Sequence, residues 1–270
     1  MNALSGKRIG FFGAGNMAEA LARGLLSGGV PAERLVASDV AEARRKLFSQ
    51  TLHIAATNDN REVLAKSDVA IFAVKPQNMA ELLAIISGPS HGKLFISICA
   101  GVSTGFIEKE LGDAPRVVRA MPNTPMLVGA GAAAITKGRH ATDEDLGVAR
   151  AIFETAATVI VVEEALMDAV TAVSGSGPAY FFYLVEALVE AGVKLGLTKE
   201  AALALARQTA FGAGRLLATS ADEPAELRRK VTSPGGTTYA AITKMEEAGV
   251  KGQIVKAVEA AAARSKELGK

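Results

Sequence analysis

The sequence has no tryptophan and only one cysteine in 270 residues. A lone cysteine, Cys99, excludes an intramolecular disulfide and any zinc site built on cysteine. The three histidines, His53, His91 and His140, are scattered without metal-ligand spacing, so no metal is expected. Charge of one sign is missing as well: 30 Lys and Arg stand against 28 Asp and Glu, with no basic cluster. A surface that follows nucleic-acid phosphates needs such a cluster, so nucleic acid is not an expected partner. No apolar run approaches the ~18 residues that suggest a membrane span. The first residues lead straight into a strand pattern, without the apolar region and cleavage site of a signal peptide. Together with the lone cysteine, this makes a reducing cytoplasm the expected location. Aromatic residues are only 5%, which argues against an aromatic-rich sandwich. No Walker A sequence is present, which argues against a P-loop nucleotide hydrolase.

What is present is a chain able to build a sizeable core, 49% hydrophobic and 21% charged. Its length suits two domains. The 27 glycines and many alanines suit close helix packing and tight βα turns. In the first half, short apolar runs alternate with helical patterns. Strands are expected at 8–12, 35–39, 69–74, 94–98 and 117–120, with edge strands at 130–136 and 159–162. From Leu166 onward the strand signal disappears, and helices are expected at 180–195, 199–218, 237–248 and 252–268. The expected fold class is α/β: a Rossmann-type, mainly parallel sheet over residues 1–164, followed by an all-helical domain over 165–270.

The first candidate site is Gly13-Ala14-Gly15-Asn16-Met17-Ala18, a GxGxxA variant of the dinucleotide fingerprint. The first glycine makes the tight turn, and the second lets a pyrophosphate approach the backbone. The small sixth residue lets helix and strand pack closely, and the helix N-terminus supplies partial positive charge. The motif follows a strand and opens a helix, which is its confirming context. Ser38 and Asp39 end the second strand. Asp39 is placed to meet the adenosine ribose 2′-hydroxyl, which favours NAD. Arg44 and Arg45 could instead meet a 2′-phosphate, so NADPH and NADH both stay open.

Four further segments stand out. Val74-Lys75-Pro76-Gln77 and the stiff clip Met121-Pro122-Asn123-Thr124-Pro125 each follow a strand, at the end where open α/β sheets bind ligands. Ser174-Gly175-Ser176-Gly177-Pro178 opens a long helix, with Ser176 or Gly177 as cap. Val231-Thr232-Ser233-Pro234-Gly235-Gly236-Thr237-Thr238 leads into another helix and reads as a cup for a carboxylate or phosphate, with a capped surface turn as the alternative. Neither hydroxyl-rich loop contains Lys, His, Asp or Glu, and no lysine occurs between Lys137 and Lys194. Oxidising an alcohol usually needs a group that takes the hydroxyl proton. Reducing an imine does not need a strong one, because the iminium can arrive already protonated.

Taken in order, the glycine loop, Ala73-Val74-Lys75-Pro76, Met121-to-Pro125, Ser174-to-Tyr180 and Val231-to-Thr238 closely resemble pyrroline-5-carboxylate reductases over nearly the whole chain. The resemblance implies reduction of 1-pyrroline-5-carboxylate to L-proline with NADPH or NADH. It also implies a helical domain that dimerises, and self-association as a dimer or a ring of dimers. For the cofactor it implies Phe12 to Met17 (Phe12, Gly13, Ala14, Gly15, Asn16, Met17) along the pyrophosphate. Ser38, Asp39, Asn60, Ala73, Val74, Lys75 and Pro76 fall on the adenosine side, and Cys99, Ala100, Gly101, Pro122 and Asn123 on the nicotinamide side. For the substrate it implies Glu164, Ser176, Ser233, Gly236, Thr237 and Thr238, with the Thr238 hydroxyl near the ring nitrogen as the catalytic group. One departure is Asp39, where NADP-preferring relatives tend to carry a small hydroxyl residue. The competing expectations are a β-hydroxyacid dehydrogenase, which would need a lysine early in the helical domain, and a non-catalytic NAD(P) sensor, which would have no use for the cup.

Overall fold

The structure, a computed structural model, describes residues 3–87 and 92–268. His91 lies outside them. By packing, the described chain forms two units: one runs to Ser176 and takes in the chain again from Ala261, and the other spans Gly177–Ala260. The expected boundary near Glu164 therefore falls inside the first unit. Its surplus comprises the residues just past that boundary and the end of the last helix.

The first unit alternates strands and helices. In chain order they are β1 (Ile9–Phe12), α1 (Asn16–Ser27), β2 (Leu35–Ser38), α2 (Glu42–Lys46), β3 (Ala55–Thr57), α3 (Asn60–Lys66), β4 (Val69–Phe72) and α4 (Met79–Ile86). Then follow β5 (Leu94–Ser97), α5 (Thr104–Leu111), β6 (Arg116–Pro122), β7 (Gly131–Lys137), α6 (Asp143–Phe153), β8 (Ala157–Val161) and α7 (Met167–Val170). The strands form one sheet in the order β3-β2-β1-β4-β5-β6-β7-β8. It is parallel from β3 to β6; β7 runs antiparallel to β6 and parallel to β8. The order reverses between β1 and β4, which opens a crevice at the carboxyl ends of the strands.

The two central strands β1 and β4 are apolar throughout because both faces are covered. Successive side chains point to opposite faces. Ile9 and Phe11, Val69 and Ile71, and Leu94 and Ile96 join the core on one face. Phe12, Ala70, Phe72 and Phe95 join that on the other. Phe12, Phe72 and Phe95 stack across three neighbouring strands, each ring 5.5 Å from the next. These rings support the carboxyl ends from which the site loops leave.

Local structure departs from expectation in three places. Strand β3 is short, alanine-rich and at an edge, so it carries almost no apolar alternation to read. The clip at 121–125 is not wholly extended loop: Met121 and Pro122 pair with Ala134 and Ala133 of β7, and Thr124–Val128 forms a 3₁₀ turn. Pro122 is tolerated because a proline lacks only the N–H, and it ends the strand there. Ser176 is not a fresh helix cap: a wide π turn over Thr171–Gly175 carries the chain on, and the Ser176 backbone is itself helical.

The second unit is helical: α8 (Gly177–Lys194), α9 (Lys199–Thr219), α10 (Pro224–Lys230), α11 (Thr237–Glu247) and the larger part of α12 (Val250–Leu268). Gly192 of α8 lies where a Cβ would come within 3.0 Å of the Ala202 methyl on α9, so small residues bring these two helices close. Few of its side chains are buried, Ala202 and Ala206 among them. Phe181, Phe182 and Phe211 are 61%, 62% and 62% exposed. A helical unit that leaves such side chains in solvent has an apolar face made for another surface.

Candidate active site

The loops after β1, β2, β4 and β5 all leave the carboxyl edge of the parallel sheet. The Gly13 N–H donates to the Ser38 carbonyl at 2.8 Å, joining the β1 loop to β2. Gly13 has φ +99°, and a Cβ there would lie 2.6 Å from the Ala73 carbonyl oxygen, so only glycine fits. Gly15 differs: its backbone is extended, and a Cβ would meet nothing within 4 Å. That open side lies at the N-terminus of α1, whose first turn has no side-chain cap. Uncapped N–H groups beside an open glycine face fit a pyrophosphate.

The Asp39 carboxylate is held by two backbone donors: Oδ2 accepts the Ala14 N–H and Oδ1 the Ala41 N–H, each at 2.8 Å. A carboxylate has about four acceptor positions, so it keeps capacity for a ribose hydroxyl. The Ala14 carbonyl accepts from Arg44 Nε, whose guanidinium also pairs with Glu19 at 2.9 Å. Burial works against the Glu19 charge, but Arg44 and Arg23 hold its pKa below the ordinary value. Arg45 donates to the Asp39 and Val40 carbonyls. The Ala14 backbone is thus held at both its N–H, by Asp39, and its carbonyl, by Arg44. The sequence gives no sign of this clamp, since it joins residues 30 positions apart.

The other dinucleotide-side residues take varied roles. The buried Ser38 hydroxyl donates to Asn60 Oδ1 at 2.6 Å, which fixes the start of α3 against β2. The Ala73 N–H donates to the Phe12 carbonyl, and Pro76 opens a short 3₁₀ turn after the extended Lys75. Cys99 is buried, and its thiol contacts the Val74 carbonyl at 3.2 Å. Burial pushes that thiol up to about 12, so it stays protonated and binds the β5 loop to the β4 loop. Gly101, at φ +77°, turns the chain towards α5. Asn123 is committed to the fold: Oδ1 accepts the Ala132 N–H and Nδ2 donates to the Ser174 carbonyl.

Glu164 also lies in the first unit. Its carboxylate accepts the N–H and the hydroxyl of Thr104 at 2.8 and 2.5 Å, and Arg119 Nη1 donates at 3.4 Å. The sequence does not reveal these partners either.

In the second unit, Gly235 has φ +71° and Gly236 caps α11 with extended backbone and no side-chain bond. The Gly236 N–H turns back to the Ser233 carbonyl at 3.0 Å, and the Thr232 hydroxyl donates to the Arg228 carbonyl. The residues before the helix are therefore folded into a tight turn. The N–H groups of Thr237 and Thr238 are left at the helix start, where no side chain caps them. Nearby charges are paired: Lys230 with Asp222, and Arg228 with Glu246. Among the described residues no cluster of His, Cys, Asp and Glu could hold a metal ion. Also among them, no helix is long and apolar enough to cross a membrane.

A doubly wound sheet with a glycine turn, an open helix N-terminus and an acid after β2 defines a dinucleotide-binding protein of the Rossmann class. Comparison with known proteins narrows the class. Residues 8–101 match the family model "NADP oxidoreductase coenzyme F420-dependent", and residues 164–268 match "Pyrroline-5-carboxylate reductase dimerisation". The chain is 42% identical to a pyrroline-5-carboxylate reductase of Methanosarcina acetivorans, over 99% of this chain and 100% of that one. A solved pyrroline-5-carboxylate reductase from Coxiella burnetii superposes with TM-score 0.90 at 39% identity, covering 98% of this chain and 99% of that one. One from Plasmodium falciparum, solved with NADP bound, gives 0.88 at 32%, with the same coverage. The chain belongs to the pyrroline-5-carboxylate reductase family, NAD(P)-dependent oxidoreductases whose helical domain self-associates.

Proposed function

We propose that this chain reduces 1-pyrroline-5-carboxylate to L-proline in the cytoplasm, with NADH preferred to NADPH, acting as a self-associated enzyme. The observation that carries the substrate reading is the uncapped start of α11. It offers N–H groups and neutral hydroxyls to an anion, with no side-chain base in the Ser233–Thr238 loop. That suits a small acid whose reacting carbon needs a hydride but no strong proton acceptor. When bound, NAD(P)H supplies the hydride, which goes to the carbon of the C=N bond.

The chain's own residues bind and orient. The N–H groups of Thr237 and Thr238 hold the carboxylate, while Ser233 and the Gly236 turn shape the cup. The Thr238 hydroxyl faces the ring nitrogen, where the iminium proton stays as the amine forms. Gly13 to Met17 hold the pyrophosphate, and the loops at Ala73–Pro76 and Cys99–Gly101 flank the rest of the dinucleotide. Preference for NADH rests on the Asp39 carboxylate, oriented by two N–H groups. Both nearby arginines are already engaged, Arg44 by Glu19 and the Ala14 carbonyl and Arg45 by the Asp39 and Val40 carbonyls. The exposed aromatic face of α8 supports self-association through the second unit.

The test is NADH and NADPH oxidation, followed by absorbance with and without 1-pyrroline-5-carboxylate. Substrate-dependent oxidation with a higher kcat/KM for NADH is expected. Folded protein that binds the dinucleotides but oxidises neither would favour the sensor instead.

A further inference from the structure

The resemblance places Glu164 beside the substrate, but its carboxylate is engaged elsewhere. Oε1 accepts the Thr104 N–H at 2.8 Å, and Oε2 accepts the Thr104 hydroxyl at 2.5 Å. Arg119, whose side chain on β6 is 7% exposed, has its ion pair with the same acid. Thr104 is the first residue of α5. Ser103 caps another donor of that turn, the Phe106 N–H, but the Thr104 N–H lies outside the reach of that cap. Glu164 therefore acts as a second cap, brought from 60 positions away.

The chain between β5 and α5 is short, and it is fastened at both ends. At its start, the Cys99 thiol contacts the Val74 carbonyl in the loop after β4. At its end, Glu164 holds Thr104. Between them Gly101 is buried and left-handed. This connection leaves the carboxyl end of β5, beside β4, on the edge where a doubly wound sheet binds its ligand.

We propose that Glu164 is a positioning residue for the dinucleotide. It fixes the 98–103 connection through Thr104 and does not contact the imino acid. The inference rests on the dinucleotide reading of the sheet edge.

The test compares three variants of the full chain, each checked for assembly and thermal unfolding. NADH affinity is measured by fluorescence titration without imine, and KM for 1-pyrroline-5-carboxylate separately. Glu164→Ala should weaken NADH binding about tenfold, the value of one charge-assisted hydrogen bond. KM for the imine should stay within about twofold of the parent, since no substrate contact is lost. Thr104→Val, which keeps the N–H and loses the hydroxyl, should weaken NADH binding about threefold. Glu164→Gln keeps an acceptor for Thr104 and should restore most of the affinity lost in Glu164→Ala. Should Glu164→Ala not fold, Thr104→Val still decides the matter. Unchanged NADH affinity in Glu164→Ala and Thr104→Val, or in whichever of them folds, overturns the proposal, and a raised imine KM in a Glu164 variant alongside it would return Glu164 to the substrate. If the parent binds NADH but does not reduce the imine, the reaction reading fails while the affinity comparison still holds. A parent that binds neither dinucleotide overturns both.

Discussion

Replacing Asp39 by serine should shift the enzyme from NADH towards NADPH. The carboxylate sits after β2, held by the Ala14 and Ala41 N–H groups at 2.8 Å each. Losing its charge-assisted bond to the ribose should cost NADH about 1.5–3 kcal/mol, or roughly 10- to 150-fold. For NADPH the change works the other way. Two unit charges about 4 Å apart repel by about 4 kcal/mol at an effective dielectric of 20, and salt reduces this at an exposed site. Serine also gives up the bond from Ala14, worth about 1 kcal/mol, but that loss falls on both cofactors and cancels in their ratio. The ratio of kcat/KM for NADPH over NADH should therefore rise at least about tenfold. Asp39→Asn, which removes the charge and keeps an acceptor, should move it in the same direction by less. The assay is initial-rate dinucleotide oxidation at saturating imine. An unmoved ratio in both variants would take Asp39 out of the ribose site and remove the reason for expecting NADH.

Four other perturbations follow from the structure. Gly13→Ala places a methyl 2.6 Å from a backbone carbonyl at positive φ, so urea unfolding should show a loss of about 2–4 kcal/mol. Gly15→Ala meets no such obstacle and should leave stability alone while weakening dinucleotide binding; equal stability of the two variants would contradict this reading of the turn. Thr238→Ala should raise the imine KM or lower kcat with NADH affinity intact, and unchanged kinetics would remove Thr238 from the site. The Arg8 side chain, hydrogen-bonded to Asp68, holds that carboxyl down from 3.8 to about 2. A depressed carboxylate adds stability above pH 3.8 that is lost as pH falls through about 2. Asp68→Asn should therefore flatten the stability profile between pH 4 and 2, and a profile as steep as the parent's would contradict it.

Much of the sheet was legible because strands buried on both faces read as continuous apolar runs, as in Val69–Phe72 and Leu94–Ser97. The edge strand Ala55–Thr57 was not, because one exposed and two half-buried small residues carry no such pattern. The glycine turn and the Gly235-Gly236 turn could be read because positive φ and close approach favour one residue type. Side-chain brackets could not. Nothing local to Arg44 shows that its guanidinium reaches back to the Ala14 carbonyl, and nothing near Glu164 points to Thr104 and Arg119. Those partners depend on which strands are neighbours. Asn123 shows another hidden bracket: its motif gives no sign that its amide braces Ala132 and Ser174.

The most direct measurement is the fate of the hydride. The enzyme would be given 1-pyrroline-5-carboxylate with NADH deuterated at the transferring position, and the product analysed by mass spectrometry and NMR. The expected result is L-proline with one deuterium, on the ring carbon that belonged to the C=N bond. Unlabelled proline, deuterium at any other carbon, or no proline at all would contradict the proposed reaction.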